Sequence, residues 1–314
     1  MAGPFDSLVD QARADFDARP SQPLREAWQD LDLVAVRADL VARLLAAGID
    51  DAVIEARFLL QHTLAPMPLE AALAGRELVA WRQISDLADL AWQRLQRIPL
   101  SQVLGSQPFW TLDLKVTADV LTPRADTEAL VEAVLARCSD APLHMLDLGT
   151  GSGAILAALL SERAAWTGLG IDLSPAALAV ARQNLDACAL TARAQLAQGR
   201  WGEGLRDHSF DLIVSNPPYI VREVLAGLEP EVRDHEPAMA LDGGEDGLDA
   251  YRVIIADLPR LLRPGARFAL EIGFDQAGAV LGLAEAAGLT ALECLQDLSG
   301  HDRVVFGQAV LPNG

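Results

Sequence analysis

A short apolar stretch that runs directly into Asn-Pro-Pro-Tyr carries the clearest chemical signal of the sequence. Phe210 to Ser215 has the composition of a buried β-strand, and the consecutive Pro217 and Pro218 end that strand at a defined point. The side-chain oxygen of Asn216 and the main-chain carbonyl of Pro217 then provide two hydrogen-bond acceptors at the strand end. Two acceptors suit a group that carries two hydrogens, an NH2.

An NH2 group attached to a π-system is a poor nucleophile because its lone pair is delocalised. Two preorganised acceptors orient the nitrogen, favour a more tetrahedral geometry and stabilise the positive charge that develops as an electrophile bonds to it. Tyr219 is expected to press on the flat face of this group. Asn216, Pro217 and Tyr219 are therefore the predicted catalytic residues, and no general base is assigned, because the proton can leave after the bond has formed. An ordinary turn built from Asn and Pro is the alternative interpretation.

A glycine-rich loop lies upstream, between the predicted strand Leu143 to Leu148 and a helix-forming run of alanine, isoleucine and leucine. Glycine lacks a Cβ, so such a loop can adopt positive φ angles and let its backbone approach a ligand closely. The start of the helix adds unpaired N–H groups. A tight turn with no ligand is the alternative. The loop consists of Gly149, Thr150, Gly151, Ser152 and Gly153.

Asp172 ends the next predicted strand, nineteen residues beyond Gly153, and a carboxylate there can accept hydrogen bonds from both hydroxyls of a ribose. The spacing Gly-x-Gly-x-Gly differs from the Gly-x-Gly-x-x-Gly of nicotinamide-binding loops. It resembles the loop of S-adenosylmethionine-dependent methyltransferases, whose ligand has no pyrophosphate, so S-adenosyl-L-methionine is the expected cofactor. Trp201 lies between Asp172 and the stretch that begins at Phe210, and it is expected either to lie near the adenine or to be a partly buried packing aromatic.

These loops need a scaffold to position them, and after Pro123 the sequence alternates between apolar strands and helical stretches. That order predicts an α/β fold with a mostly parallel sheet and helices on both faces. Ligands of such sheets bind beyond the carboxyl ends of the strands. The predicted strands are Leu143–Leu148, Thr167–Asp172, Phe210–Ser215, Ala266–Ile272 and Arg303–Gly307, with helices around Ile155, Ala177, Tyr251 and Ala279.

The N-terminal part has a different pattern. From Leu31 to Arg97, apolar residues recur at helical spacing and breaks fall at Gly48 and Gly75, which predicts several short helices. Phe109 to Val120 is rich in aromatic and β-branched residues and predicts a short hairpin, with the domain junction at Pro108. We therefore expect an N-terminal extension at residues 1–30, a helical domain at 31–105, a β-hairpin linker at 106–123 and a catalytic domain at 124–314.

The composition limits the class of protein. With 51% hydrophobic and 22% charged residues, the chain of 314 residues has enough apolar surface for two globular domains. No apolar run approaches the roughly 20 residues that cross a bilayer, and the N-terminus lacks the layout of a secretory signal. Cys138, Cys188 and Cys294 fit buried thiols in a reducing compartment, so the cytoplasm is expected. The net charge of −19 disfavours binding to a phosphate backbone.

Several further segments resemble the release-factor glutamine N5-methyltransferases, the PrmC/HemK family. The glycine loop and Asn-Pro-Pro-Tyr are shared with many methyltransferases, so the family resemblance depends on the other segments, and it covers about residues 35 to 308. These segments are Phe109-Trp110, Leu121-Thr122-Pro123-Arg124-Ala125-Asp126-Thr127-Glu128, His235-Glu236-Pro237 and Gly243-Gly244-Glu245-Asp246-Gly247-Leu248-Asp249-Ala250-Tyr251.

The resemblance implies a Rossmann-like S-adenosylmethionine-dependent methyltransferase domain, preceded by a small all-helical domain that helps to recognise a protein substrate. The implied reaction is methyl transfer to the side-chain N5 of the glutamine in the Gly-Gly-Gln motif of peptide-chain release factors. We further expect a monomer with no metal, no membrane partner and no direct nucleic-acid partner. The implied cofactor contacts are the five residues of the glycine loop, Asp172, Trp201 and Asn216. The implied substrate contacts are Asn216, Pro217, Pro218, Tyr219, Phe109, Arg124 and Glu128. Glu128 equally fits a helix cap or a surface residue.

Three alternatives stay open at this level. A sister enzyme that methylates a glutamine of a ribosomal protein shares both motifs, but its Pro-Arg segment usually continues with Ser-Pro rather than with Ala125-Asp126. An adenine N6-methyltransferase acting on DNA or RNA would meet the same two hydrogens on an exocyclic amine, but the acidic balance argues against it. The third alternative is a cofactor-binding scaffold without catalysis, which the intact Asn-Pro-Pro-Tyr argues against.

Overall fold

The computed structural model describes residues 20–75 and 81–311, and the chain divides into two compact units between Leu104 and Gly105. Residues 1–19 of the predicted N-terminal extension lie outside the described residues. Each unit has its own apolar core, as expected for domains that pack independently.

The first unit is a bundle of short helices around a leucine-rich core. Asp32 starts one of these helices as its N-cap, because its carboxylate accepts a hydrogen bond of 2.8 Å from the main-chain N–H of Ala35. The helices are α1 (Gln22–Trp28), α2 (Leu33–Ala46), α3 (Ala52–Leu64), α4 (Leu69–Gly75), α5 (Trp81–Leu95) and α6 (Leu100–Leu104).

Helix α1 falls inside the segment that the sequence analysis assigns to the N-terminal extension. Trp28 is fully buried in the helical core, and its indole N–H donates a hydrogen bond of 2.6 Å to Asp39 Oδ2. Arg25 is also buried and pairs with Asp89 at 2.5 Å. We therefore propose that the helical domain begins with α1 and not at residue 31.

A two-stranded antiparallel hairpin opens the second unit. Strands β1 (Ser106–Phe109) and β2 (Leu112–Lys115) pair around a turn in which Trp110 has a positive φ of 56°. The hairpin falls within the predicted linker, residues 106–123, but it begins before Phe109 and ends at Lys115, short of Val120. The residues of β1 have little strand propensity of their own, so the turn and the partner strand decide where β1 runs.

The main sheet of the second unit has mixed direction but is mostly parallel. In chain order its strands are β3 (His144–Leu148), β4 (Thr167–Asp172), β5 (Ala194–Gln198), β6 (Phe210–Ser215), β7 (Leu262–Glu271), β8 (Thr290–Gln296) and β9 (Asp302–Gln308). Within the described residues these seven strands lie in the order β5-β4-β3-β6-β7-β9-β8. Strands β3 to β7 are parallel, β9 is antiparallel to β7, and β8 is antiparallel to β9. The predicted α/β fold is confirmed.

Helices lie against both faces of this sheet. In β6, Leu212 and Val214 belong to one apolar core and Ile213 to the other, as the alternation of side chains along a strand requires. The helices of this unit are α7 (Glu128–Arg137), α8 (Ala154–Glu162), α9 (Pro175–Ala187), α10 (Pro230–His235), α11 (Asp249–Leu261) and α12 (Ala277–Ala286), with short 3-10 helices at Ala125–Thr127, Arg222–Gly227 and Ala238–Ala240.

Strands β5 and β8 are not predicted by the sequence analysis, because both are edge strands with little buried surface. Ala194 is the one buried residue of β5, and β8 has none. Sequence-based strand prediction depends on apolar runs, which are typical of central parallel strands.

The place of β3 in the sheet defines the edge at which a ligand can bind. Strand β3 pairs with β4 on one side and with β6 on the other, so the direction in which the chain winds reverses there. Loops that leave a sheet at such a point diverge and open a crevice. The glycine loop, Asp172 and Asn216 all lie at this crevice, because they follow or end β3, β4 and β6.

Asn184, on helix α9, connects the hairpin to the glycine loop. Its side-chain oxygen accepts a hydrogen bond of 2.7 Å from the main-chain N–H of Lys115. Its amide nitrogen donates to the carbonyl oxygens of Lys115 at 3.1 Å and Ser152 at 2.8 Å. Asn184 is 2% exposed, and replacing it removes three hydrogen bonds to the main chain, of which the one to Ser152 is buried and the two to Lys115 are partly buried.

We predict that Asn184→Ala lowers the free energy of unfolding by about 2 to 4 kcal/mol, because one buried and two partly buried hydrogen bonds to the main chain are lost. Denaturant unfolding measures the change. Gln183→Ala is the matched control, because Gln183 is the exposed neighbour of Asn184 on the same helix. The side-chain oxygen of Gln183 accepts a hydrogen bond from the Lys115 ammonium, which is also exposed. The control should stay within about 0.5 kcal/mol of the wild type. Equal losses in the two variants would contradict the role given to Asn184.

Candidate active site

A cavity of about 660 Å³ lies in the second unit at the carboxyl ends of β3, β4 and β6. This volume is within the range of small-molecule sites, which is roughly 300 to 1,000 Å³. Most of the residues that the sequence analysis singles out meet there. Those that line the cavity are Arg124, Gly149, Thr150, Gly151, Ser152, Asp172, Trp201, Asn216 and Pro218.

The glycine loop is shaped by left-handed backbone conformations. Gly149 and Gly151 have φ angles of 71° and 55°, which favour glycine at both positions. The main-chain N–H groups of Gly149 and Thr150 donate to the carbonyl of Ile171 at 2.8 and 2.9 Å, so the loop is tied to β4. A Cβ placed on Gly151 would meet only the Gly149 carbonyl oxygen, at 4.0 Å, among the described atoms. The space beside Gly151 is therefore open to a ligand.

Gly153 has a different role from the other two glycines. It has a φ of 79° and occupies the N-cap of α8. A Cβ there would lie 3.2 Å from the Cβ of Ala181 on α9. Gly153 lies off the cavity, and it allows the start of α8 to pack closely against α9.

Asp172 joins the glycine loop to the end of β4. Its Oδ2 accepts a hydrogen bond of 2.9 Å from the N–H of Gly151, and its Oδ1 accepts one of 2.8 Å from the N–H of Ser174. A carboxylate oxygen has a second lone pair, so both oxygens can accept one more hydrogen bond from a ligand in the cavity. This arrangement fits two vicinal hydroxyls of a ribose.

Asp147 lies beneath the same loop and is fully buried. The hydroxyl of Thr150 donates a hydrogen bond of 2.6 Å to its Oδ2. Desolvation raises the pKa of Asp147 to about 7, despite that hydrogen bond, and the charge of Asp172 adds to the rise. Asp147 holds the loop from below and has no contact with the cavity.

Trp201 lines the cavity and also packs against an apolar core. Its φ is 50°, a conformation that few residues other than glycine adopt. A Cβ built on Gly149 would lie 3.4 Å from the indole ring. The indole therefore covers the glycine loop, so the two interpretations of Trp201 in the sequence analysis are compatible.

Asn216 follows β6 and has a defined amide orientation. Its Nδ2 donates a hydrogen bond of 3.2 Å to the hydroxyl of Thr127, which also lines the cavity. Because the amide is planar and its two heteroatoms diverge, Oδ1 points away from Thr127. Asn216 can therefore accept a hydrogen bond from a donor inside the cavity.

Pro217 and Tyr219 are not on the cavity lining, although they flank residues that are. Burial raises the pKa of Tyr219 to about 12, so its hydroxyl is protonated at neutral pH. The main chain here is held by Gln276, whose Nε2 donates to the carbonyls of Tyr219 at 3.0 Å and Gly247 at 3.2 Å. A Cβ on Gly243 would lie 2.8 Å from the Tyr219 backbone, so that loop packs directly on the motif.

Two of the predicted substrate residues lie away from the cavity. Phe109 is 1% exposed and belongs to an apolar core of the second unit. Glu128 accepts a hydrogen bond of 2.7 Å from the main-chain N–H of Trp110, so its carboxylate stabilises the turn of the hairpin. The structure therefore does not bring these two residues to the site, because packing and the hairpin turn determine their positions.

Arg124 does reach the cavity, and it depends on a residue to which the sequence analysis assigned no role. Its Nη2 donates to Glu236 Oε2 at 2.6 Å, and Glu236 Oε1 accepts a hydrogen bond of 3.3 Å from the N–H of Thr122. Glu236 is buried and fixes the Leu-Thr-Pro-Arg segment to the loop after β6. The motif His-Glu-Pro was the signal for it. Thr127 lies in the segment Leu121 to Glu128 that carries the family resemblance, but that segment assigns it no role. Gln276 and Glu271 carry no such signal, because single polar residues do not reveal their partners.

Within residues 20–75 and 81–311, the structure has no group of three or more His, Cys, Asp or Glu residues that could bind a metal ion. No helix in that part of the chain is long and apolar enough to cross a membrane.

Comparisons with known families place both units. Residues 125–226 match the family described as "Methyltransferase small domain", and residues 35–105 match the "PrmC N-terminal domain". The boundary between the compact units, at Leu104 and Gly105, separates the two matches to within one residue, because the N-terminal match ends at Gly105.

Curated relatives match most of the chain. A release factor glutamine methyltransferase of Caulobacter vibrioides is 49% identical over 84% of this chain and 92% of its own length. A relative of the same name from Rhodospirillum rubrum is 45% identical over 85% of this chain and 82% of its own length. Another from Cereibacter sphaeroides is 46% identical over 86% of this chain and 96% of its own length. With this identity over nearly the whole length of these relatives, the chain belongs to the release factor glutamine methyltransferase family.

Proposed function

We propose that this protein transfers the methyl group of S-adenosylmethionine to the side-chain amide nitrogen, N5, of a glutamine in a peptide-chain release factor. The observation that carries the proposal is the position of Asn216, on the same cavity as the glycine loop and Asp172. The names of the curated relatives support the choice of substrate.

The residues of the cavity fit the proposed cofactor. S-adenosylmethionine supplies an electrophilic methyl group on a sulfonium centre. Asp172 would accept hydrogen bonds from the ribose hydroxyls through the lone pairs that Gly151 and Ser174 leave open. The missing side chain at Gly151 leaves room for the ligand beside the loop, and the indole of Trp201 offers a flat surface near it.

Asn216 and Pro217 would prepare the substrate nitrogen. The Oδ1 of Asn216, on the cavity lining, would accept one amide hydrogen, and the carbonyl oxygen of Pro217, which flanks the lining, would accept the other as the glutamine enters. These two hydrogen bonds would turn the nitrogen lone pair toward the methyl group. As the nitrogen–carbon bond forms, the bond between the sulfonium sulfur and the methyl carbon would break and the sulfur would leave as a neutral thioether. Positive charge would thereby pass to the nitrogen, where the two oxygens would stabilise it. One proton then leaves the nitrogen to solvent in the open cavity, so that a neutral N-methyl amide remains.

The Gly-Gly-Gln motif is the proposed target within the release factor. A glutamine side chain is short, so the main chain of the substrate must come close to the rim of the cavity. Two neighbouring glycines permit that approach, because they carry no side chain and adopt backbone conformations closed to other residues. We also propose that the protein is a cytoplasmic monomer with no direct nucleic-acid partner. The net charge of −19 supports the last of these points, because an acidic surface repels a phosphate backbone.

Methylation of a release factor is the first test. We expect the purified protein and S-adenosylmethionine to add one methyl group to the Gly-Gly-Gln peptide of the release factor, as measured by mass spectrometry. Asn216→Ala should lower kcat about 100-fold or more, because a preorganised acceptor is lost. Gln195→Ala, on the exposed face of the edge strand β5, should leave kcat unchanged.

A release factor with Gln→Ala in the motif controls for the position of the methyl group. Methylation of a ribosomal protein or of nucleic acid, with none on the release factor, would show that the proposed substrate is wrong. Cofactor binding without transfer to any of these substrates would favour the scaffold alternative.

Cofactor binding is a separate prediction. We expect Asp172→Asn to raise the Kd for S-adenosylmethionine about 10-fold to 100-fold, because charge-assisted hydrogen bonds to the ribose become neutral ones. Isothermal titration calorimetry measures the Kd without any protein substrate. Asp186→Asn, at an exposed site on α9, is the matched control and should keep the wild-type Kd. A wild-type Kd in the Asp172 variant would exclude this carboxylate as a ribose ligand.

A further inference from the structure

Glu271 is a buried carboxyl group directly beside the Asn-Pro-Pro-Tyr motif. Glu271 is the last residue of β7, which runs parallel to β6, and the preceding residue Leu270 pairs with Ser215. Glu271 and Asn216 each follow that pair by one residue, so they lie side by side on neighbouring chain segments. Glu271 is 1% exposed. Its Oε2 atom is buried and has no hydrogen-bond partner of good geometry within the described residues. Such a group is costly to bury, so its presence next to the motif calls for a reason.

The neighbours of Glu271 form a small network with the motif. Thr127 and Asn216 both interact with its carboxyl group through their side chains and oppose the effect of burial on it. Asn216 Nδ2 also donates to the Thr127 hydroxyl at 3.2 Å. A hydroxyl that accepts one hydrogen bond can still donate its own hydrogen, so Thr127 can link Asn216 to Glu271.

We propose that Glu271 and Thr127 are positioning residues that hold the Asn216 amide with its nitrogen toward them and its oxygen toward the substrate. This inference rests on the proposed function. The two orientations of a carboxamide have nearly the same shape, so packing alone selects poorly between them. An ionised carboxylate accepts hydrogen bonds and cannot donate, and it therefore selects the orientation in which the NH2 group faces it. The opposite orientation would set an NH2 of Asn216 against the NH2 of the substrate.

The charge of Glu271 has a second effect on Asn216. A carboxylate close to an amide NH2 polarises the amide, because hydrogen bonds in sequence strengthen one another. Negative charge then accumulates on Oδ1, which becomes a stronger acceptor for the substrate nitrogen. Glu271 thereby supports the positive charge that develops during transfer, although it does not touch the reacting atoms.

Several charged and titratable groups face Glu271 and bear on its protonation. Arg303 favours the charged form, whereas Asp126 opposes it, and Arg303 itself pairs with Asp126 at 3.1 Å. Tyr251 donates a hydrogen bond of 2.8 Å to the main-chain oxygen of Glu271. Burial raises the pKa of Tyr219 to about 12 and the pKa of Tyr251 well above its ordinary value, so both are neutral near pH 7.

These surroundings leave Glu271 with a pKa of about 7, raised from 4.5 mainly by burial. The carboxylate is therefore mostly protonated below that pH and mostly ionised above it. Since the ionised form is the one that positions Asn216, kcat is expected to rise as the pH increases through about 7. Asp147 titrates in the same range, so a rate profile alone does not identify the group.

The test combines kinetics on release-factor methylation with the nuclear magnetic resonance signal of the Asn216 side-chain amide. Glu271→Gln keeps the shape of the side chain but removes the charge, and Thr127→Val keeps the shape but removes the hydroxyl. We expect both to lower kcat about 10-fold to 100-fold with an unchanged Kd for S-adenosylmethionine, since a hydrogen bond to a charged group is lost. Thr127→Ser, which retains a hydroxyl, should recover most of kcat.

The Asn216 NH2 signal, assigned with Asn216→Asp, reports positioning without any substrate. In the wild type it should shift with a midpoint near pH 7, and in Glu271→Gln the shift should disappear. A signal that does not respond to pH, or wild-type kcat in Thr127→Val, would overturn the inference.

Failure of the proposed function gives a different result. In that case the wild type does not methylate the release factor, while the Asn216 signal still titrates with Glu271. Thermal unfolding and the Kd for S-adenosylmethionine control for folding of each variant. If Glu271→Gln does not fold, the comparison of Thr127→Val with Thr127→Ser decides the outcome.

Discussion

The parallel pairing of β3 with both β4 and β6 is the constraint on which the site depends. Parallel strands end at the same edge, so three loops that are far apart in the chain leave the sheet together. The glycine loop follows β3, Asp172 ends β4, and Asn216 follows β6. Each loop is then held by its own hydrogen bonds, so the register of the central strands determines the distance between a bound nucleoside and the acceptor of the substrate.

Two buried carboxyl groups, Asp147 and Glu271, lie beneath these loops, and both have a pKa raised by burial to about 7. An acid whose pKa is raised in the folded state binds its proton more tightly there than in the unfolded chain. The stabilisation from that proton is complete below the ordinary pKa and is lost as the pH rises toward about 7. Both groups therefore lower stability at neutral pH, which supports a functional reason for keeping them beside the site.

Much of the fold follows from the sequence, and the site follows in part. The central strands and the glycine loop are readable because apolar runs and punctuating glycines are local signals. Edge strands such as β5 have mixed composition, and their pairing is decided by neighbours far away in the chain. The position of Phe109 is likewise decided by residues far away in the chain. The family resemblance assigns Phe109 to the substrate, whereas the side chain lies in an apolar core. The individual roles of the cavity residues stay predictions.

The bridge made by Asn184 bears on how such proteins can be recombined. One side chain on α9 joins main-chain groups of the hairpin, at Lys115, and of the glycine loop, at Ser152. A chimaera spliced between Leu104 and Gly105 inherits all three segments from one parent. A splice placed after the hairpin would take Lys115 from one parent and Asn184 from the other. The hydrogen bonds between them would then depend on how far the two parental backbones have diverged.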